Sequence, residues 1–323
     1  DYVKQLSDHE DRELRIAFQL GGDVSDQDNY VYQGYDFGRP TDTIVNKNDG
    51  SPLTYTYLLD YTHPFKDKHT IEVGAKYVKR NLLNNYNTEN ANPIIFQPLE
   101  QFDYIQNVAA LYLSTKWQLS KEWGAVVGLR AENTLIKGQW NSKQNDEWVQ
   151  NDNDPFENEY TTLLPSFILS KKIDMMKSLK ASYSKRIYRP GMRYINPNIS
   201  YTDTLSLSEG NPLLKPEITH QLEVGYNSFA RKYKGSYYIF AKQTYDLIES
   251  NVSLLGDSTV TSYNNIGENL SIGFNYYGSI KLGDANLRAG FNLYTYQTTS
   301  DDLGRVLFNW NMGGNYDIGK GYK

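Results

Sequence analysis

Run after run of this chain places an apolar side chain at every second position. Ile71, Val73, Ala75 and Tyr77 alternate with Glu72, Gly74 and Lys76. Trp123, Ala125, Val127, Leu129 and Ala131 stand against Gly124, Gly128, Arg130 and Glu132, with Val126 the one interruption. Leu222, Val224 and Tyr226 alternate with Gln221, Glu223, Gly225 and Asn227, and Leu287, Ala289, Phe291 and Leu293 with Asn286, Arg288, Gly290 and Asn292. Val306, Phe308, Trp310 and Met312 alternate with Arg305, Asn309 and Asn311, with Leu307 the exception. A period of two sends successive side chains to opposite sides of a pleated strand, so each run is a strand with one apolar and one wet face. No segment sustains the i, i+3, i+4, i+7 stripe of an amphipathic helix over several turns.

Further strands are expected at roughly 12–22, 53–62, 102–118, 158–171, 178–189, 234–249 and 260–280, about twelve in all. Several exceed the length usual in globular proteins, as a wall that crosses a bilayer and continues beyond it requires. The connections come in two sizes that alternate. Short ones fall at roughly 62–68, 119–122, 172–177, 231–235 and 282–284, and long ones at roughly 27–52, 84–101, 138–157, 190–216 and 251–260. Gly21-Gly22 marks a strand-end kink or bulge. Turns on one rim and loops on the other describe an up-and-down meander. Soluble sandwiches, propellers and lipocalin-like barrels share the alternation, but have no reason to segregate loop length so strictly.

Composition agrees. The chain carries 28 Tyr against 12 Phe and 5 Trp, and Tyr suits a boundary where the ring is in apolar surroundings and the hydroxyl is wet. Mean hydropathy is -0.64, and no stretch approaches the run of apolar residues that a transmembrane helix needs. A transmembrane strand needs only alternation over about ten residues. The expected class is therefore all-β: an antiparallel up-and-down transmembrane β-barrel. With no Cys there is no disulfide, thiolate metal site or Cys nucleophile, and a net charge of -5 argues against nucleic acid as a partner. Asp1-Tyr2-Val3-Lys4 is not a signal peptide, so the chain is expected to be a mature protein or a portion of one.

One polar stretch has its own logic. Tyr183-Ser-Lys-Arg-Ile-Tyr-Arg-Pro190 ends a strand, Asn196-Pro197 follows, and Gly210-Asn-Pro-Leu-Leu-Lys-Pro-Glu217 launches the next. Pro212 and Pro216 each fix φ, remove an amide donor and push the preceding residue toward an extended backbone. Gly210 permits a conformation other residues avoid. Asn196, Pro197, Gly210, Asn211, Pro212, Lys215, Pro216 and Glu217 thus form a stiff loop-to-strand motif, in which Glu217 is expected to tie back to a loop amide or to Lys215.

These residues resemble TonB-dependent outer-membrane receptors, and more narrowly the outer-membrane β-barrel family abundant in Bacteroidetes. Leu58-Leu-Asp-Tyr-Thr-His-Pro-Phe65, Ala109–Ser114, Gly128–Glu132 and Asn264–Asn269 fit the same family, so the resemblance spans the chain. It implies a 22-stranded barrel filled by an N-terminal plug that TonB grips. About twelve strands and no plug precede Gly321-Tyr-Lys323, so residues 1–323 are expected to be a partial barrel domain whose plug and remaining strands lie elsewhere. An open arc would expose unpaired backbone to lipid. The implied setting is the outer membrane of a Gram-negative bacterium. The implied partners are its lipid, the plug, TonB, a surface lipoprotein and a small or oligomeric ligand.

Arg130, Glu132, Lys180, Arg186, Glu223 and Arg288 are expected to face the lumen, since charge on the lipid face is costly, and Trp117, Trp123 and Tyr233 to sit in the periplasmic girdle. Chemistry candidates are few. His63 and His69 flank one turn without a zinc spacing, and no nucleophile elbow, P-loop or dinucleotide fingerprint appears, so no enzyme is expected. Asp152, Asp154 and Glu157 offer oxygen donors to Ca2+ on one long loop, but lack the EF-hand spacing. Tyr194, Asn198, Tyr201 and Asp203 are the loop residues placed to capture ligand. The function expected is import of a scarce solute such as an iron chelate, glycan, peptide or vitamin. The alternatives are a passive porin-like or lipid-transport barrel, an outer-membrane enzyme with an acid–base cluster at its outer rim, and a soluble adhesive β-protein.

Overall fold

The computed structural model describes residues 1–6, 12–36, 39–65, 68–90, 100–144, 147–150, 155–197, 199–203, 205–299 and 301–316. In chain order the strands are β1 (Tyr2–Gln5), β2 (Glu13–Gly22), β3 (Ser25–Asp36), β4 (Arg39–Phe65), β5 (His69–Asn90), β6 (Glu100–Gln118), β7 (Trp123–Gln144), β8 (Glu147–Gln150) and β9 (Phe156–Lys172). Then come β10 (Lys177–Tyr188), the one-turn helix α1 (Met192–Ile195), β11 (Ser200–Asp203), β12 (Ser206–Ser208), β13 (Glu217–Phe229), β14 (Tyr233–Leu255), β15 (Ser258–Leu282), β16 (Ala285–Thr298) and β17 (Asp301–Tyr316).

The wall runs β1–β2–β4–β5–β6–β7–β9–β10–β13–β14–β15–β16–β17, every neighbour antiparallel. β2 and β3 lie end to end along β4, interrupted at Asp23 and Val24 just past Gly21-Gly22. Counted as one, they make the wall from β2 to β17 twelve strands, as the alternation predicts. Among the described residues no pairing joins β17 to β1, so the sheet is an arc.

The alternation also fixes the faces. Register places Leu113 opposite Leu129, Val127 opposite Phe167, Val224 opposite Ile239, Ile239 opposite Phe274 and Phe291 opposite Trp310. These side chains join into one apolar belt around the arc. Val127, Leu129, Val224 and Phe291 are 46%, 49%, 56% and 38% exposed, so the protein does not cover them itself. An apolar surface this continuous belongs against hydrocarbon. Phe18, Tyr57 and Tyr77 form a ring-to-ring chain on the same face, eight residues up β5 from His69, whose ring meets Trp117. Eight residues measure about 26 Å along the strand, or about 20 Å of height at the usual tilt of about 40°, which fits within a membrane barrel's apolar band of about 25 Å. Trp117, Trp123 and Tyr233 lie on this face near the short turns, where a periplasmic girdle belongs, and Lys171 sits over the Trp123 ring.

Among the described residues, four stretches expected to be long loops are largely strand. β3 and β4 extend as a hairpin arm, β5 runs to Asn90 and β7 to Gln144, and β14 turns into β15 only at Gly256-Asp257, where Gly256 takes φ +62. Asn, Thr and Lys are turn-like by composition. Above the bilayer both faces of a strand are wet, so polar residues can continue a hydrogen-bonded ladder without an apolar side.

Candidate functional site

Among the described residues the polar stretch between β10 and β13 is the main irregular connection, and it folds across the sheet rather than away from it. Asn196 donates through Nδ2 to the Tyr86 hydroxyl on β5. Two residues earlier, the Tyr194 ring meets Tyr263 of β15 edge-on at 4.8 Å. Asn211 donates through Nδ2 to the Tyr263 carbonyl at 3.0 Å and to Asn264 at 3.1 Å, while its amide donates to Tyr194 at 2.6 Å. β5 and β15 are seven strand spacings apart along the wall, about 34 Å. Residues 194–196 span a fraction of that distance, so the sheet is strongly curved and the loop crosses its concave side. The side facing the loop is therefore the lumen.

The motif residues are the brace. The Gly210 amide donates to Asn196 at 2.8 Å, and a Cβ at Gly210 would sit within 3 Å of the Asn196 backbone, so this position accepts only glycine. Asn265 exchanges hydrogen bonds with the Lys215 backbone at 2.8 and 2.9 Å. Glu217 does not tie back to the loop or to Lys215. It accepts from the Ile248 amide at 3.0 Å, beside a register shift on β14 where Asp246 takes φ +54. A bulge leaves amides without a ladder partner, and the carboxylate satisfies one of them. β12 adds to β15 in parallel, pairing Leu207 with Val260.

Beneath the brace lies an apolar nest. Phe102, Tyr104, Ile136 and Trp140 of β6 and β7 and Leu82 of β5 are buried with Ile195 of α1, and Tyr86, Phe156 and Tyr160 pack against them. Phe102 stacks on Trp140 at 4.6 Å and on Phe156 at 6.3 Å. Every wall residue here is even-numbered, on the face that carries Arg130 and Glu132 nearer the membrane. The same inner face is thus polar at bilayer height and apolar above it. Burial pushes the Tyr86 hydroxyl up, against the opposing effect of Asn84 and Asn196, so it stays neutral and accepts from both amides.

Where β10 ends, Arg189 turns inward. Its guanidinium binds Glu132 and reaches the Thr134 hydroxyl at 3.2 Å, and Arg130 takes the other Glu132 oxygen while lying over the Tyr112 ring at 5.2 Å. The Glu132 side chain is 7% exposed. With both oxygens held by guanidinium groups, this carboxylate is a latch for the root of the loop rather than a general base. The lumen placement expected for Arg130, Glu132, Lys180, Arg186, Glu223 and Arg288 agrees with the register, which pairs Lys180 with Gly225, Ser182 with Glu223 and Ser279 with Arg288 on the face opposite the belt.

Of the proposed ligand residues, Tyr194 lies in the brace, Asn198 lies outside the described residues, and Tyr201 and Asp203 lie on β11. Of the calcium candidates, Asp152 and Asp154 lie outside the described residues, and Glu157 pairs with Lys137 at 2.9 Å. Among the described residues no three His, Cys, Asp or Glu side chains converge as metal ligands. His63 meets the Tyr61 hydroxyl and His69 accepts from the Gln118 amide. The Arg189 latch and the nest escaped sequence reasoning. Their one signal was a change in the even positions of β7, from Arg130 and Glu132 to Ile136 and Trp140.

The fold has solved counterparts. The ferric yersiniabactin uptake receptor FyuA from Yersinia pestis superposes with TM-score 0.66 at 10% identity, over 96% of this chain and 45% of that one. The copper transporter OprC gives 0.69 at 15% identity, over 98% and 49%. The ferripyoverdine receptor of the outer membrane of Pseudomonas aeruginosa gives 0.66 at 12%, over 94% and 41%. The chain spans less than half the length of these proteins. No curated protein matches it in sequence. The model of the outer membrane protein beta-barrel family matches residues 5–323, nearly the whole chain. With its belt, meander and short-turn rim, the chain belongs to that family, and its place is the outer membrane.

Proposed function

We propose that the chain is the barrel portion of a TonB-dependent receptor that imports a scarce solute. One observation carries the reading: the mouth is crossed by a brace pinned on both sides of the arc, at Tyr86 and at Tyr263. A passive pore works with an open lumen, whereas a receptor must hold solute until energy is supplied. Proteins of the same fold include a ferric yersiniabactin uptake receptor, a copper transporter and a ferripyoverdine receptor, which supports uptake of a metal or its chelate ahead of a glycan, peptide or vitamin. On this reading the arc is completed to 22 strands around a plug, a surface lipoprotein assists capture, and the protein is of the Bacteroidetes type. Tyr194, Asn198, Tyr201 and Asp203 contact solute as it enters. The chain is not an enzyme.

The test is uptake by whole cells carrying the full-length receptor, with and without TonB and with the proton gradient collapsed. Uptake that vanishes in both treatments is expected. Uptake at full rate without TonB, together with open-pore conductance in planar bilayers, sinks the proposal in favour of a porin.

A further inference from the structure

Side-chain parity sorts charge at the short-turn rim. Lys234 is an odd number of residues from belt residue Ile239, Lys281 from Ile272 and Arg288 from Leu287. All three therefore face the lumen, where Lys234 and Arg288 flank Ser279 and Lys281 pairs with Asn286. With Arg231 and Lys232 of the adjoining turn, Lys234 and Lys281 surround a hollow of about 460 Å³, whose one acid is Asp284, and Arg288 stands beside it, opposite Ser279. Among the described residues none of the five cations has an ion-pair partner, and Arg288 holds only Asn315, at 3.1 Å. In the hollow itself, four cations against one acid leave a surplus of three positive charges, in a chain whose net charge is -5. Beside the β9–β10 turn the rim is balanced, with Lys172 and Lys177 sharing a hollow with Glu122 and Asp174.

Such a surplus implies a counter-charge. Bilayer headgroups are the wrong source, because they meet the belt side and the strand-borne cations Lys234, Lys281 and Arg288 face away from it. A lone phosphate is too small, since the lining cations and the adjoining Arg288 spread over three strands, about 10 Å, and the surplus in the hollow alone exceeds its charge. Asn286, Ser279 and Asn315 add neutral hydrogen-bonding groups between them. We propose that this basic hollow docks a carboxylate-rich peptide segment at the periplasmic mouth of the barrel. The assignment rests on the receptor reading only in that it places the short turns in the periplasm.

The test uses the full-length receptor in neutral detergent, with fluorescent hexaglutamate as probe. Binding is expected to weaken about tenfold when Lys232, Lys234 and Lys281 are changed together to Gln. It should be unchanged when Lys116, Lys172 and Lys177 are changed instead, and should fall steeply with salt. In the wild type, hexaglutamate should shield Lys232, Lys234 and Lys281 from acetylation, a readout that needs no variant to fold. Equal binding by both variants without shielding overturns the proposal. So does full competition by inorganic phosphate at equal charge, or shielding only by anionic vesicles. Neither measurement depends on transport, so a protein that imports nothing can still pass, and one that imports can still fail.

Discussion

At bilayer height and above it, the same strands carry their apolar side chains on opposite faces. In β7, Val127 and Leu129 point outward to hydrocarbon while Arg130 points into the lumen. A few residues higher, Ile136 and Trp140 point inward and are buried, and the outward positions carry Lys137 and Gln139. The backbone and its parity do not change, only the solvent on either side. A hydrophobic core forms wherever water would otherwise touch apolar surface. In the membrane that surface is the outside, and above it the only dry place is under the brace.

The difference can be broken from the inside first. Phe102→Ala removes a fully buried ring from the nest and should cost about 3–5 kcal/mol, measured by denaturant unfolding in phospholipid vesicles. Leu129→Arg puts charge near the middle of the belt and should cost about 2–4 kcal/mol in the same assay, whereas Gln139→Arg, on the same face above the membrane, should change stability by less than about 0.5 kcal/mol. Equal costs for the two arginines would erase the boundary drawn here. Gly210→Ala should free the brace at about 1–3 kcal/mol while leaving the belt intact, seen as faster proteolysis within 190–216 and an unchanged unfolding midpoint for the wall. The mildest probe is pH. The Met176 amide, with Lys177 adding to it, holds the Asp174 carboxyl below its usual value. A depressed carboxyl stabilises the turn above its unfolded pKa of about 4 and loses that contribution as pH falls through the folded value. Protection of the Met176 amide from exchange, taken relative to its intrinsic rate at each pH, should therefore fall below about pH 4 while protection in the belt stays constant.

The belt was legible because period two is a backbone property that any sheet must show. Trp123–Ala131, Gln221–Asn227 and Leu287–Leu293 all lie as their alternation predicts. What period two cannot say is which face is covered higher up, so Phe102 passed as part of a wet wall and Trp140 as part of a long loop. Arg189 was hidden for a related reason. In sequence it is the residue before a proline at a strand's end, and its partner Glu132 lies 57 positions away on a strand that only the register brings near. The loop motif was legible as stiff, since Gly210, Pro212 and Pro216 have local meanings. Its destination was not: the contacts of Asn211 and Glu217 lie on β14 and β15, beyond any local rule.

The parallel pairing of β12 with β15 has a consequence for biogenesis. Ser206–Ser208 is synthesised about fifty residues before the Thr259–Thr261 edge that receives it, and the β13–β14 hairpin lies between. A wall that grows hairpin by hairpin can therefore seat this segment only after β15 is in place. The mouth stays unlatched until that edge exists, so its closing waits on the β14–β15 hairpin.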